Sequence, residues 1–251
     1  MIPRRPMLGG MGCKSRIAKV GSLYPVFSPI ERELWKPIDL SHFVPEVLDQ
    51  DGQNSCNAFA SIQAVHVSRM FMGLPYVRLS PGNLYGRING GIDRGSYLSD
   101  ALKELQENGV CRADIVPMME WRKDRWPPEW KEDAKKFRLI EVYDCPTFDH
   151  LASAILQGFA VNLGIMVGRN FKVEPDGWLK DYSGGYGGHA MCGVGLDYHP
   201  SRKTWGIKVV NSWGQDWGMK GFAVVPESYF KSNWFSDGWA IRVVVDPEGK
   251  E

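Results

Sequence analysis

Asp49-Gln-Asp-Gly-Gln-Asn-Ser-Cys-Asn-Ala-Phe-Ala-Ser-Ile-Gln-Ala-Val-His-Val-Ser-Arg-Met-Phe-Met72 passes from a polar turn into an apolar stretch. That transition predicts a helix over 58–72. Ser55 is an N-cap residue type, and Gly73 with Pro75 supplies the stop. Ala58, Phe59, Ile62 and Val65 share one face, yet Val67, Met70 and Phe71 are apolar elsewhere. A helix apolar on several faces is a buried helix. Cys56 then stands at its positive end, where free N–H groups and the helix dipole favour thiolate, the nucleophilic form. The plainer reading is an inert buried thiol, the common state of free cysteine.

Outward from this helix, Tyr97–Asn108 carries Leu98, Ala101, Leu102 and Leu105 at helical spacing and ends at Gly109. Residues 119–138 are charged and rich in Trp and Pro, which fits a loop with a short surface helix. Another helix is expected over Phe148–Gln157. From Phe159 the texture changes. Short β-type runs at 161–167, 189–196, 204–210, 221–225 and 239–245 are separated by Gly, Asp and Pro. Helices first and strands second predict an α+β protein of two lobes with a cleft between them. The helical lobe is placed at about 38–140 and the β-rich lobe at about 141–251. Residues 1–37 form an N-terminal arm. Its first 30 residues hold five basic side chains and no acidic one. The arm is read as a loose terminus, a segment that occludes the cleft, or an anchor in a larger assembly.

The 251 residues carry 30 Lys+Arg against 29 Asp+Glu, a net charge of +1, which argues against a nucleic-acid binder. No run is long and apolar enough for a membrane span; 154–168 is too short and holds Gln157 and Asn162. No apolar stretch follows Arg4 and Arg5, so no secretory signal is read. The five cysteines are scattered without a CxxC pair, which argues against structural zinc and against a disulfide framework. The expectation is a protein of the reducing cytoplasm with no metal and no cofactor.

A thiolate needs a proton acceptor that later serves as acid, usually histidine. His66 lies ten residues along the Cys56 helix, about 15 Å away by helical rise. His42, His150 and His199 occupy turns or helix starts and read as surface or structural groups. His189 opens a strand directly after the glycine-rich loop 183–188, a setting that admits close backbone approach. Cys192, three residues on, falls on the opposite strand face and reads as core. Asn211 ends an apolar strand in Lys208-Val-Val-Asn-Ser-Trp-Gly-Gln-Asp-Trp-Gly218. Its side-chain oxygen can accept the imidazole N–H, with Trp213 screening that bond from water. A side-chain amide beside the Cys56 N–H would make an oxyanion hole, and Gln50 and Gln53 are both candidates.

Together these segments resemble the papain-like cysteine peptidases. The matching pieces are Ile38-Asp-Leu40, Asp49-Gln50 with Ser55-Cys-Asn-Ala-Phe-Ala60, Asn89-Gly-Gly91 before a helix, Gly188-His-Ala190 running into Gly193-Val-Gly195, and Asn211-Ser-Trp-Gly214 with Trp217-Gly218. The resemblance spans residues 38 to about 245 and implies a fold with a helical lobe, a β-barrel-like lobe and an active-site cleft between them. It implies Cys56 as nucleophile, His189 as acid/base, Asn211 as orienting residue and Gln50 as oxyanion donor. It also implies Gly90 and Gly91 as the wall that pairs with an extended polypeptide substrate, and Ala190, Gly164 and Trp213 as further lining. Three departures stand out. Asn57 replaces the usual aromatic after the nucleophile, Gly188 replaces the Asp or Asn common before the histidine, and Gln53 and Ile88 occupy positions that usually form a disulfide. These features look more like bacterial or viral members, so a virion-associated location is a second expectation. An alternative reading keeps the scaffold but makes it a structural or binding component of a larger assembly, possibly viral. Another keeps the chemistry and turns it on a non-protein amide.

Overall fold

The computed structural model describes residues 12–14, 24–138, 141–168, 171–184, 187–231 and 237–243. In chain order the elements are β1 (Cys13–Lys14), β2 (Ile38–Asp39), α1 (Cys56–Phe71), α2 (Pro81–Ile88), β3 (Ser96–Tyr97), α3 (Leu98–Glu107), α4 (Trp130–Ala134), β4 (Glu141–Asp144), α5 (Phe148–Leu156), β5 (Ala160–Val167), β6 (Gly187–His199), β7 (Thr204–Val210), β8 (Phe222–Pro226) and β9 (Asp237–Arg242). As expected, helices dominate the first half and the longer strands the second, and the class is α+β.

Helix α1 is buried from Cys56 to Arg69, as its many-sided apolar pattern requires. It packs against β5, β6 and β9 of the sheet and against α2 and α3. Its buried side chains Gln63, His66 and Ser68 each bond to another segment, which offsets part of the cost of burying them. Gln63 Nε2 donates to Glu46 O at 2.7 Å, His66 Nε2 accepts the Leu79 N–H at 3.0 Å, and Ser68 Oγ accepts the Val243 N–H at 2.8 Å. His66 is thus a fully buried structural group, and burial pushes its pKa down to about 3. Ser55 holds the N-cap position, but its hydroxyl makes no capping bond. A capping side chain needs extended backbone, whereas Ser55 sits at φ −105°, ψ 15°.

Helix α2 has no counterpart in the sequence reading. Ser80 Oγ accepts the Asn83 N–H at 3.0 Å and Pro81 opens the helix. Gly82 and Gly86 disguise it, because both lie where a side chain cannot fit: a Cβ at Gly86 would fall 2.2 Å from Trp121 O.

The large sheet has seven strands in the order β4-β9-β5-β6-β7-β8, with β2 pairing β6. Every pairing in it is antiparallel. The sheet is open rather than a closed barrel, because β4 and β8 lie at opposite edges and do not pair. Both edges are covered instead. Residues 25–27 bond to Asp144 of β4, and residues 177–179 bond to Val224 of β8. No helix among the described residues is long and apolar enough to cross a membrane.

A register shift in β6 between Gly193 and Gly195 bends the strand over α1. A Cβ at Gly193 would fall 2.5 Å from Val161 Cγ2 and 2.9 Å from Ile207 Cγ2. Gly193→Ala is expected to lower stability by about 1–3 kcal/mol through overpacking. Thermal or denaturant unfolding checks this, and an unchanged melting temperature would contradict it.

Candidate active site

Two elements deliver the chemistry. The tip of α1 supplies Cys56, and adjacent strands β6 and β7 supply His189 and, just past the last residue of β7, Asn211. The β6–β7 register pairs Cys192 with Val210, so the two ladder partners carry His189 and Asn211 to the same end. There His189 Nε2 lies 2.7 Å from Asn211 Oδ1. A carbonyl oxygen can only accept, so Nε2 carries the proton. In the neutral ring Nδ1 is then bare, and it is buried without a hydrogen-bond partner. Asn211 Oδ1 also accepts the Ser212 N–H at 2.9 Å, which fixes its own orientation. Trp213 stacks on the imidazole with centroids 4.6 Å apart and planes at 28°, and Phe171 and Trp217 pack behind it. These rings cover one side of the buried His189–Asn211 pair.

The Cys56 sulfur accepts the Gly12 N–H at 3.3 Å. It also draws on the N–H groups of Ala190, Asn57 and Cys13. Ala190 directly follows His189, so the helix tip and the start of β6 meet at the sulfur. Cys56 and His189 are both fully buried. Burial pushes the thiol pKa up, with the four N–H groups opposing. Burial pushes the imidazole down to about 4, with the Asn211 bond opposing. In this state the pair is held as neutral thiol and neutral imidazole.

The two glutamines separate clearly. Gln50 is fully buried; its Oε1 accepts the Ser212 hydroxyl at 2.5 Å and its backbone N–H donates to Ser212 O at 2.9 Å. Its Nε2 donates to Gln53 O at 2.5 Å. Gln50 is therefore tied to the same strand end that presents Asn211. Gln53 Nε2 turns away to Met119 O at 3.1 Å. Ser212, which links Gln50 to the Asn211 segment, drew no attention in the sequence because a serine beside asparagine reads as a turn.

Gly90 and Gly91 lie in an exposed loop past α2, both at positive φ. No atom stands within 4 Å of a Cβ built at Gly91. The backbone that another segment approaches is Gly95–Tyr97. Strand β1 pairs in parallel with β3, Cys13 opposite Ser96 and Lys14 opposite Tyr97. A Cβ at Gly95 would fall 1.9 Å from Gly12 O, so only glycine admits this approach. Asn57, the departure after Cys56, holds that wall. Its Nδ2 donates to Tyr97 O at 2.7 Å and Ser96 Oγ at 3.0 Å, and its Oδ1 accepts from Asn162 at 3.2 Å. Opposite the wall, Ala190 pairs with Gly164 across β5 and β6. Cys13 O would meet a Cβ at Gly188 at 2.1 Å, which explains glycine in place of the usual Asp or Asn. Arm residues 12–14 thus lie between Gly95–Tyr97 and Gly188–Ala190, over the sulfur. Residues 1–11 and 15–23 of the expected arm lie outside the described residues.

Cys192 is buried in β6, as its strand parity implies. No group of three His, Cys, Asp or Glu side chains among the described residues is arranged to hold a metal ion.

Comparison with known proteins gives the family and the fold. A family model described as papain family cysteine protease matches residues 35–233. An uncharacterized peptidase C1-like protein of Acanthamoeba polyphaga mimivirus is 32% identical over 173 residues, covering 62% of this chain and 54% of that protein. A cathepsin B-like protein of Giardia intestinalis, CP3, is 29% identical over 194 residues, covering 72% of this chain and 64% of its own length. The chain thus spans between about half and two thirds of these curated relatives. Among solved structures, xylellain, a cysteine protease from Xylella fastidiosa, superposes with a TM-score of 0.78 at 23% identity over 98% of this chain and all of that one. Digestive procathepsin L 3 of Tenebrio molitor superposes at 0.73 with 20% identity, covering 88% of this chain and 74% of that one.

The buried imidazole makes stability depend on pH. Its pKa falls from 6.5 to about 4 on folding, so between those values the unfolded chain binds more protons and stability declines as pH falls. His66 adds to the same trend. The melting temperature should drop from pH 7 to pH 4, and His189→Gln should flatten part of that slope. Identical slopes in the two chains would contradict a neutral buried His189.

Proposed function

The chain belongs to the papain family of cysteine proteases, and from that footing we propose that it hydrolyses peptide bonds with Cys56 as nucleophile. His189 Nδ1 takes the thiol proton, and Cys56 Sγ attacks the peptide carbonyl carbon. The Cys56 backbone N–H and the Gln50 side-chain amide hold the oxyanion, with Ser212 fixing the Gln50 head. His189 returns the proton to the leaving amine. A water then attacks the thioester, its proton passing to His189, and the acid product leaves with the thiol restored. Asn211 keeps the ring in the tautomer that leaves Nδ1 bare toward the sulfur. The observation that carries this reading is the 2.7 Å bond from His189 Nε2 to Asn211, which leaves the buried Nδ1 as the bare ring nitrogen, one residue before the Ala190 N–H that acts on the Cys56 sulfur.

The substrate is an extended polypeptide, and Gly95–Ser96 is the wall it pairs with. The seating of the arm there favours this segment over the exposed Gly90–Gly91 loop. Ala190 lines the facing side, and Trp213 seals the imidazole. The same seating supports a latent state. The arm offers the sulfur an amide N–H, not a carbonyl carbon, so it presents no bond to cut while it excludes substrate. Residues 1–37 act in this reading as a cover for the cleft.

Three variants test the proposal with a fluorogenic peptide. Cys56→Ala should lose turnover completely while keeping its melting temperature; retained hydrolysis would contradict the mechanism. Gln50→Ala should lower kcat by about 10²–10³. Gly12→Pro removes the N–H on the sulfur and crowds Asn54 O, so it should raise kcat/KM by about tenfold, the equivalent of one lost hydrogen bond. An unchanged Gly12→Pro rate would contradict the covering role of the arm.

A further inference from the structure

The arm brings a second thiol to the nucleophile. Gly12 donates to Cys56 Sγ at 3.3 Å, and the N–H of Cys13 itself reaches the same sulfur. The Cys13 Cα is one bond beyond that nitrogen. The Cys13 side chain turns toward β6, with its Cβ 3.5 Å from a Cβ built at Gly188, two residues before the Ala190 N–H that touches Cys56. Both cysteines are buried in this cleft as thiols. A disulfide requires Cα atoms within about 7 Å, and the Gly12 N–H bond of 3.3 Å, one residue before Cys13, brings the arm backbone onto the Cys56 sulfur. The remaining cysteines sit elsewhere. Cys111 belongs to a separate small cluster with Val116, Trp126 and Ala134, Cys145 follows β4, and Cys192 lies inside β6.

We propose that Cys13 and Cys56 form a reversible disulfide under peroxide, clamping the arm in the cleft and making the peptidase redox-latent. The idea rests on the reading of Cys56 as the nucleophile. In the first step Cys56 gives its proton to His189 and attacks one oxygen of hydrogen peroxide. The O–O bond breaks, hydroxide leaves and takes up the proton as water, and Cys56 becomes a sulfenic acid. In the second step Cys13 Sγ attacks the Cys56 sulfur. The S–S bond forms, the S–O bond breaks, and the departing hydroxide takes the Cys13 proton as a second water. Two thiols are oxidised by two electrons and the peroxide is reduced. A dithiol such as dithiothreitol reverses the reaction by exchange through a mixed disulfide. The arm serves both as cover and as the resolving thiol that stops Cys56 from passing to the irreversible sulfinic acid.

The test treats the full chain with hydrogen peroxide at neutral pH, alkylates remaining thiols and digests it without reduction for mass spectrometry. The expected product is a peptide joining Cys13 to Cys56, two hydrogens lighter than its reduced parts, with peptidase activity lost and then regained in dithiothreitol. The Cys13→Ser chain should give no such peptide, and its activity should stay lost after dithiothreitol, with Cys56 found as sulfinic acid. Cys56 found only as sulfinic acid or joined to another thiol in the unaltered chain would overturn the proposal. So would a Cys13→Ser chain that recovers as fully as the original. The mass readout needs no turnover, so a chain that never cleaves peptide but forms the Cys13–Cys56 link separates a failed peptidase reading from a failed redox one.

Discussion

One hydrogen bond organises the site: His189 Nε2 to Asn211 Oδ1 at 2.7 Å. It decides which ring nitrogen carries the proton and which is left bare. The bond exists because β6 and β7 are ladder neighbours whose ends coincide, and it survives because Trp213 stacks over the ring and keeps water away. Ser212 extends the same anchor to Gln50, so a single strand end sets both the imidazole and the amide. Helix α1 then needs only to bring its tip to the start of β6. Gln63, His66 and Ser68, bonded to three different segments, hold it there.

Burial sets the electrostatic state. A thiolate–imidazolium pair is costly where neither charge meets water, and the thiol and imidazole are both pushed toward neutrality. Gly12–Lys14 contributes to that burial by lying over the sulfur. In the proposed function, departure of the arm admits solvent and substrate together, so access to Cys56 and its charging are one event. The glycines at 95 and 188 serve this arrangement, since each stands where a Cβ would strike arm backbone.

Much of this was legible in the residues. Cys56, His189 and Asn211 stood out because each residue type has a distinct chemical use and each sits at an element boundary. The α1 pattern announced a buried helix, and the change of texture after Phe159 announced the sheet. Other features were hidden for physical reasons. Gly82 and Gly86 lower the helical signal of α2 while serving close packing against the Trp121 segment. The Ser55 cap failed because backbone dihedrals, not residue type, decide whether a hydroxyl reaches its N–H. Periodicity marks strands but not whether a sheet closes, so the open edges at β4 and β8 were out of reach. The approach of Gly12 to Gly95 is a contact between segments far apart in sequence, and composition alone carries no trace of it. The Asn89-Gly-Gly91 run lies on the loop just before the Gly95–Tyr97 backbone that β1 approaches.

The central claim is that sulfur and imidazole share a proton once the cleft is open. The most direct measurement is the titration of the His189 ring by NMR in a chain lacking residues 1–23, with Cys56 intact and with Cys56→Ala. The account predicts that the intact chain titrates higher, because the thiolate stabilises the imidazolium, and that removing the sulfur lowers the His189 pKa. The same His189 titration in both chains would contradict it.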